Sequence, residues 1–535
     1  MRYRRELGVL SAAVLATAAV GRADVVTEWN QLATNAIVAD IPTNVYAVNN
    51  PSLAVVNPSA LGIAGSNINP NTATRDLAIQ SIAVQDAVAP LLGGSQNSLP
   101  AGPISGPTDA TAAAAEAAYN VLNKTVLTQL AGYTSPTNLS GVAQQQEAIW
   151  TAHLNADLAG ISNTQQAINN GVAYGDSAAA AVLSNRTSDG SATPAAGPTT
   201  TQFVGQWNGT AISATNPAAQ NGKWTPTPIS QTYTGNPAYA SALTGKTVTI
   251  DSNNDLAQYG SQPWWGGVKP FALTSASQFT PAAPPAQGSA AFNTAASGVQ
   301  SLGSYANLAS TDPTTEAHVH LAELWAEDIE VPIQQVTEEV AAAAGNTLAQ
   351  NARLFALVNL ASADARISTW STKYANLAIR PITALNSTYA TNGWQPLLTT
   401  PNHPENDSGH SATAAAAFGV LSDLYGDSIP GGSAAVSSYL YDPQTGNPVS
   451  PLNYTSFSSL ISDVGESRVY GGVHFQYSID AANTVGADVA NFVVANEVAV
   501  PEPGYGSLIG LAGAMLLTRR AGLGRRYRRS AGIES

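Results

Sequence analysis

Asp407-Ser408-Gly409-His410-Ser411-Ala-Thr-Ala-Ala-Ala-Ala-Phe-Gly-Val-Leu421 opens on polar and glycine positions and runs without interruption into alanine and aliphatic residues. The second part is strongly helix-favouring, so the Ser-Gly-His triplet is predicted at a helix N-terminus. Free N–H groups and the positive end of the helix dipole favour an anion there, and Gly409 lets the backbone come close to it. Ser408 adds a hydroxyl donor. Two flanking blocks supply cations. Lys373-Tyr-Ala-Asn-Leu-Ala-Ile-Arg380-Pro381 carries two of them seven residues apart, which on one helix would lie two turns apart on the same face. Arg380 brings a planar fork suited to a tetrahedral oxyanion, and Lys373 a point charge. Ser467-Arg468-Val-Tyr-Gly-Gly-Val-His474 adds another guanidinium, and Gly471-Gly472 predict a tight turn that would present His474 to the same point. Charged residues make up only 10% of the chain and histidines number six, so this concentration of cations and histidines is itself a signal for an oxyanion pocket.

The order Lys-x6-Arg-Pro, Ser-Gly-His, Ser-Arg-x5-His resembles the three-part signature of the vanadium-dependent haloperoxidases and their relatives, the type 2 phosphatidic acid phosphatases and bacterial acid phosphatases. Pro401-Asn-His-Pro-Glu405 and Trp264-Trp-Gly-Gly-Val-Lys-Pro-Phe-Ala-Leu273 resemble the larger bacterial haloperoxidase-like proteins. The resemblance implies a mainly α fold of helical bundles. It implies vanadate or phosphate held by Lys373, Arg380, Ser408, Gly409, His410 and Arg468, with His474 as vanadium ligand or phosphatase nucleophile and His410 as acid–base. One pocket suits both anions because five-coordinate vanadate resembles the transition state of phosphoryl transfer. With vanadate, the implied reaction is halide oxidation by hydrogen peroxide to hypohalous acid, with Lys373 polarising the peroxide; with a phosphate ester, it is hydrolysis through a phosphohistidine. The motifs alone do not separate the two.

His403, seven residues before His410, stands where the family carries His in algal bromoperoxidases and Phe in chloroperoxidase, so bromide is the favoured halide; alternatively His403 is an exposed residue of a proline-rich loop. The family usually has an aspartate soon after the third-block histidine to orient its ring, and Asp480, six residues on, is the candidate. Asp407 replaces the usual proline. It is either a helix N-cap or a pocket carboxylate opposing a bound anion, and the latter leaves open a third reading, a non-catalytic extracellular-matrix protein with a decayed pocket. His318 and His320, two residues apart in a helical stretch, point to different faces and do not suggest a metal site; His153 is read as structural.

Residues 1–23 read as a secretory signal: Arg2, Arg4 and Arg5, the apolar run Leu7 to Val20, then Gly21-Arg-Ala23. Val500-Pro-Glu-Pro503, a short apolar run and six arginines between Arg519 and Arg529 resemble the PEP-CTERM sorting signal of Gram-negative bacteria. The expectation is export to the periplasm, cell surface or exterior, with transient anchoring and recognition by sorting machinery at the membrane. The signal carries four Arg and one Glu, and residues 501–535 six Arg and two Glu, so removing both takes the net charge from −14 to −21. Such acidity argues against nucleic acid as a partner. There is no Cys, and Met1 and Met515 both fall in the removed ends. A sulfur-free mature chain suits an enzyme that releases an oxidant, and equally a compositional bias.

Between the ends, alanine-rich stretches predict helices at roughly 109–132, 141–172, 314–348, 351–379, 408–425 and 475–497, with Thr108-Asp109 and Asp407-Ser408 as N-caps. The expected organisation is an N-terminal helical region over 24–185, a Gly/Pro/Trp-rich loop insertion over 186–300 with a hairpin near Lys246 to Asp251, and a helical oxyanion-binding region over 301–499. Trp207, Trp224, Trp264 and Trp265 argue that the insertion packs on the helices rather than being disordered.

Overall fold

The computed structural model describes residues 24–38, 69–93, 102–104, 106–132, 139–192, 262–388, 394–398, 400–401, 403–440, 442, 445 and 447–496. Both chain ends, residues 193–261 and the expected hairpin lie outside the described residues.

The fold is mainly helical. The N-terminal part holds α1 (Val25–Val38), α2 (Pro70–Val88), α3 (Ala110–Lys124), α4 (Val126–Gly132), α5 (Leu139–Gly160) and α6 (Gln165–Arg186). The C-terminal part holds α7 (Ala290–Leu302), α8 (Pro313–Leu324), α9 (Glu330–Ala344), α10 (Leu348–Asn376), α11 (Pro381–Thr388), α12 (Gly409–Tyr425), α13 (Phe457–Tyr470) and α14 (Gln476–Asn496). One small antiparallel ribbon, β1 (Ala434–Val436) with β2 (Leu452–Tyr454), pairs Ala434 with Tyr454 and Val436 with Leu452. Among the described residues no helix is long and apolar enough to cross a membrane.

Small residues set the helix spacing. A Cβ on Gly171 or Gly175 would meet the backbone of α3 at 2.4 and 2.3 Å, and one on Gly486 would meet the Ala412 carbonyl at 2.5 Å, so α6 lies directly on α3 and α14 on α12. The long α10 is the shared element, packing on α2 in one half and on α12 and α14 in the other. Its 29 residues start from a capping box in which Thr347 and Gln350 satisfy each other's backbone groups. Ala352, Phe355, Val358, Leu360 and Ala365 of α10 join a core continuous with Leu77 and Ile82 of α2 and Phe418 and Leu421 of α12. All but a few residues of α10 are buried, which is why its sequence shows little amphipathic contrast despite its length.

The described part of the loop-rich stretch packs on α10. Asp364 accepts hydrogen bonds from the amides of Phe271, Ala272 and Leu273 at 2.6 to 2.8 Å. Arg186 donates to the Lys269 carbonyl at 2.7 Å and stacks over Phe271 at 3.5 Å. Trp265 is buried with Val268 against Ile367 and Trp370. Regular helix resumes at Ala290, inside the stretch read as loop, with Ser289 as its N-cap.

Candidate active site

Lys373 sits in the last turn of α10, but Arg380 does not share its helix. Leu377 adopts a left-handed conformation, φ 51°, and closes α10; Pro381 then starts α11. The two-turns-apart expectation fails because proline disfavours the α region at the residue before it, so a helix cannot run from Lys373 through Arg380. Arg380 instead lies in the connector and reaches across to two other segments. Its Nε donates to the His403 carbonyl at 2.9 Å, Nη2 meets His403 Nδ1 at 3.0 Å, and Nη1 donates to the Val473 carbonyl at 2.7 Å and meets His474 Nε2 at 3.0 Å.

Ser408 is the N-cap of α12, accepting from the Ser411 amide and hydroxyl, so the capping role falls to Ser408 and not Asp407. Gly409 opens the helix under close contacts: an added Cβ would lie 3.1 Å from Arg366 Nη1 and 3.3 Å from the Trp370 ring. Arg468 ends α13, donates from Nη1 to the Trp325 carbonyl at 3.0 Å, and leaves Nε buried without a partner. Gly472 then turns the chain at φ 73°, pressed so closely on Gly303 and Pro396 that no side chain fits, and His474 follows, 2% exposed. Three side clusters meet here, with Trp370 in one, Val473 in another and Phe475 in a third, so the site is walled by packed apolar groups.

The carboxylate that orients His474 is Glu405. Its Oε1 accepts from His474 Nδ1 at 2.9 Å and from the Phe475 amide at 3.0 Å. Asp480, the sequence candidate, lies on the exposed face of α14 and accepts from Gln476 instead. The physical reason is the helix itself: α14 starts at Gln476, and its turn carries Asp480 away from the ring. With Nδ1–H donated to Glu405, Nε2 keeps its lone pair and faces the cations, the arrangement required of a ligand or nucleophile. Replacing Glu405 with Gln is expected to weaken oxyanion binding about 10–100-fold, the usual worth of an outer partner of a ligating histidine. Calorimetric titration with inorganic phosphate and with orthovanadate reads this directly; unchanged affinity would leave Glu405 a packing residue.

The remaining residues fall around the same point. Lys373 Nζ donates to the Pro404 and Glu405 carbonyls at 2.9 and 3.0 Å. His410 Nε2 pairs with the Glu327 carbonyl at 3.0 Å, which leaves Nδ1 as the acceptor nitrogen of the neutral ring. The His403 ring lies 4.8 Å from that of Trp370, centroid to centroid. By contrast His318 stacks on Tyr470, His320 pairs with the Ser450 carbonyl and His153 is exposed. Among the described residues no cluster of histidines and carboxylates has metal-binding geometry.

Burial and mutual proximity shift the charges of the site. Burial, then Arg380, push the Lys373 ammonium well below its ordinary range, with Asp407 and Glu405 pulling back. Burial lowers Arg380 to about 10 and, with Arg380 beside it, Arg468 to about 9. Burial and the surrounding cations hold His403, His410 and His474 well below their ordinary values, so all three are neutral. Burial pushes Glu405 up to about 7 and Asp407 to about 6, against the attraction of Lys373. Crowded cations of depressed basicity are stabilised by an anion placed among them.

The three motifs do not include Arg366 or Trp370, although Arg366 precedes Lys373 by the same seven residues that separate Lys373 from Arg380, and Trp370 precedes it by three. Arg366 is buried, ion-paired with Glu330 and close to Trp370. Removing Glu330 as Ala would leave this guanidinium buried and uncompensated, and is expected to cost about 3–5 kcal/mol of stability. Denaturant unfolding checks it; a loss under about 1 kcal/mol, the scale of an exposed pair, would show that water reaches Arg366.

Residues 353–500 match the family model described as the VCPO second helical-bundle domain. Among solved structures, the chain is similar to the first bacterial vanadium-dependent iodoperoxidase, with 21% identity and TM-score 0.55 over 86% of this chain and 98% of that one. It is also similar to a bacterial vanadium-dependent chloroperoxidase in its holo form, with 17% identity and TM-score 0.55 over 84% and 94% of the two chains. The apo form gives the same identity and TM-score over 80% and 95%. A search of curated proteins found no match. The cation-lined site thus stands in a chain that has the helical fold of the vanadium-dependent haloperoxidases, with residues 353–500 matching the VCPO second helical-bundle domain.

Proposed function

We propose that the protein is a vanadate-dependent haloperoxidase that oxidises bromide with hydrogen peroxide, consuming one proton and yielding hypobromous acid and water. The observation that carries this reading is the buried His474, oriented by Glu405 through Nδ1 and turned with Nε2 toward Arg380, within a ring of Lys373, Arg380 and Arg468. The donor set fits vanadate: an imidazole nitrogen, guanidinium and ammonium donors, the Ser408 hydroxyl and the N-terminus of α12. Bound vanadate would supply a Lewis-acidic centre that activates hydrogen peroxide. The chain's own residues do the rest. Lys373, Arg380 and Arg468 offset the anion's charge where apolar walls exclude water and strengthen the attraction. His410, neutral and with Nδ1 as its acceptor, exchanges the proton. The solved relatives named above, over most of their length, favour this reading over a phosphatase that would use His474 as nucleophile.

The test is peroxide-dependent bromination of a phenolic dye with and without orthovanadate, with phosphate-ester hydrolysis assayed in parallel. Bromination that requires vanadate supports the proposal. Hydrolysis inhibited by vanadate, without bromination, moves the assignment to a phosphatase; silence in both leaves a non-catalytic protein. We infer further that the protein works outside the cytoplasm, on the strength of its two terminal segments; detection of the mature chain in periplasmic or extracellular fractions tests that.

Asp407 modulates the pocket. Its carboxylate is buried, with the Thr369 hydroxyl and its own amide as the nearest donors, and Lys373 is the strongest charge acting on it. Its carboxyl titrates near 6, so above that pH it is ionised and opposes an anion; below it the opposition fades and oxyanions bind more tightly. Asp407→Asn is expected to tighten vanadate binding about tenfold at pH 8 and to leave it unchanged at pH 5, a difference in line with one like charge at short range. Equal affinities at both pH values would place the carboxylate out of reach of the anion.

A further inference from the structure

A second polar cavity lies outside this site. It is about 360 Å³ and is bounded by α8, by the turn around Leu308, and by Asp442, Thr445 and residues 447–450. On α8 the residues that line it, Glu316, Val319, His320 and Glu323, recur at helical spacing, so one face of the helix is given to the cavity. Glu323 is the unusual member. It is 4% exposed, and its Oε1 is buried without a hydrogen-bond partner. Asp442 stands near enough to act on it with like charge, and together with burial pushes the Glu323 carboxyl up to about 8.

Ionised, a buried carboxyl that lacks a partner and stands near a second carboxylate is costly unless something positive joins it, so at neutral pH Glu323 holds a proton that an entering cation would displace. Among the described residues that line the cavity there is no Lys or Arg, and His320 is engaged with the Ser450 carbonyl. A bare metal ion is a poor match, because among the described residues no three carboxylates or histidines converge with metal-binding geometry, and the cavity is many times the volume of an ion. Its walls are mixed. Leu308, Val319, Pro448 and Val449 form apolar surface beside the carboxylates, and Thr445 donates its amide and hydroxyl to the Asp442 carboxylate, holding it in place.

We propose that this cavity binds a small organic cation, a primary alkyl ammonium whose charged end is received by Glu323 and Asp442 and whose hydrocarbon lies against Leu308, Val319 and Val449. Glu316, exposed at the rim two turns from Glu323, lies about 10 Å along the helix axis and adds attraction for the incoming cation. The site is independent of the oxyanion reaction, and its test uses no turnover.

The experiment is calorimetric titration of the protein with n-butylammonium chloride, with n-butanol as the neutral probe of equal hydrocarbon and calcium chloride as the metal probe. Saturable binding of n-butylammonium is expected, with none of n-butanol. Affinity should fall at least about tenfold in Glu323→Gln and in Asp442→Asn, as a charged hydrogen-bonded pair is lost in each. Thermal unfolding profiles establish that each variant is folded; should Glu323→Gln not fold, Asp442→Asn, at a half-buried position, carries the test. Absence of saturable n-butylammonium binding, or unchanged affinity in the folded variants, overturns the proposal. So does saturable calcium binding, lost in the same variants, in place of ammonium binding.

Discussion

Alanine at position 474 is expected to reduce peroxide-dependent bromination to the level seen without vanadate, a loss of about 10³-fold or more. The His474 imidazole points the Nε2 lone pair at the buried Arg380, and its Nδ1 is already committed to Glu405. Alanine removes that nitrogen, the one whose ring is tied to Glu405; His403 Nδ1 instead accepts from Arg380, and His410 Nε2 donates to the Glu327 carbonyl. The same variant would lose phosphoester hydrolysis if the pocket turned over phosphate, because His474 would be the nucleophile. Glu405 is left without its histidine partner but keeps the Phe475 amide, so the fold is expected to survive. Bromination within tenfold of the unmodified protein would remove His474 from the chemistry.

Arg380→Ala is expected to lower turnover about 10²–10³-fold, the scale of losing one preorganised donor to an anionic transition state. The loss has two parts. One cation of the ring disappears, and the three segments that Arg380 ties together, the connector after α10, the His403 loop and the turn before His474, lose their common partner. Arg380→Lys separates them: it restores the charge but not the planar fork that reaches two carbonyls and two imidazoles at once, so it should recover only part of the rate. Equal rates for the lysine variant and the unmodified protein would show that charge alone matters. Vanadate affinity, measured alongside, distinguishes a lost anion contact from a displaced His474.

Much of this was legible in the chain before any coordinates. The helices at 351–379, 408–425 and 475–497 were found because long alanine-rich runs leave few alternatives, and the structure places them at 348–376, 409–425 and 476–496. Helices α1, α2, α7, α11 and α13 lie outside the predicted runs. In α2 the reason is visible: Asn71, Asp76, Gln80, Gln85 and Asp86 are buried alongside Leu77 and Ile82, so polar residues face inward and the hydrophobic period is blurred. In α13 the residues had been read for their chemistry, and Gly465 interrupted the helical pattern.

The sequence by itself determined the residue types of the pocket, their order, and the placing of Ser408-Gly409-His410 at a helix start, because each depends on local chemistry and on neighbours within a turn or two. Tertiary structure alone decided which groups face one another. Glu405 meets His474 across 69 residues of chain, while Asp480, only six residues away, is swung to solvent by the first turn of α14. Arg380 leaves the helix of Lys373 at Leu377 and reaches its partners through space. Arg366 and Glu330 form a buried pair that neither residue's neighbours announce. Periodicity reports which face a residue occupies on its own element; which carboxylate completes a histidine depends on how separate elements pack, and that is set by the whole core at once.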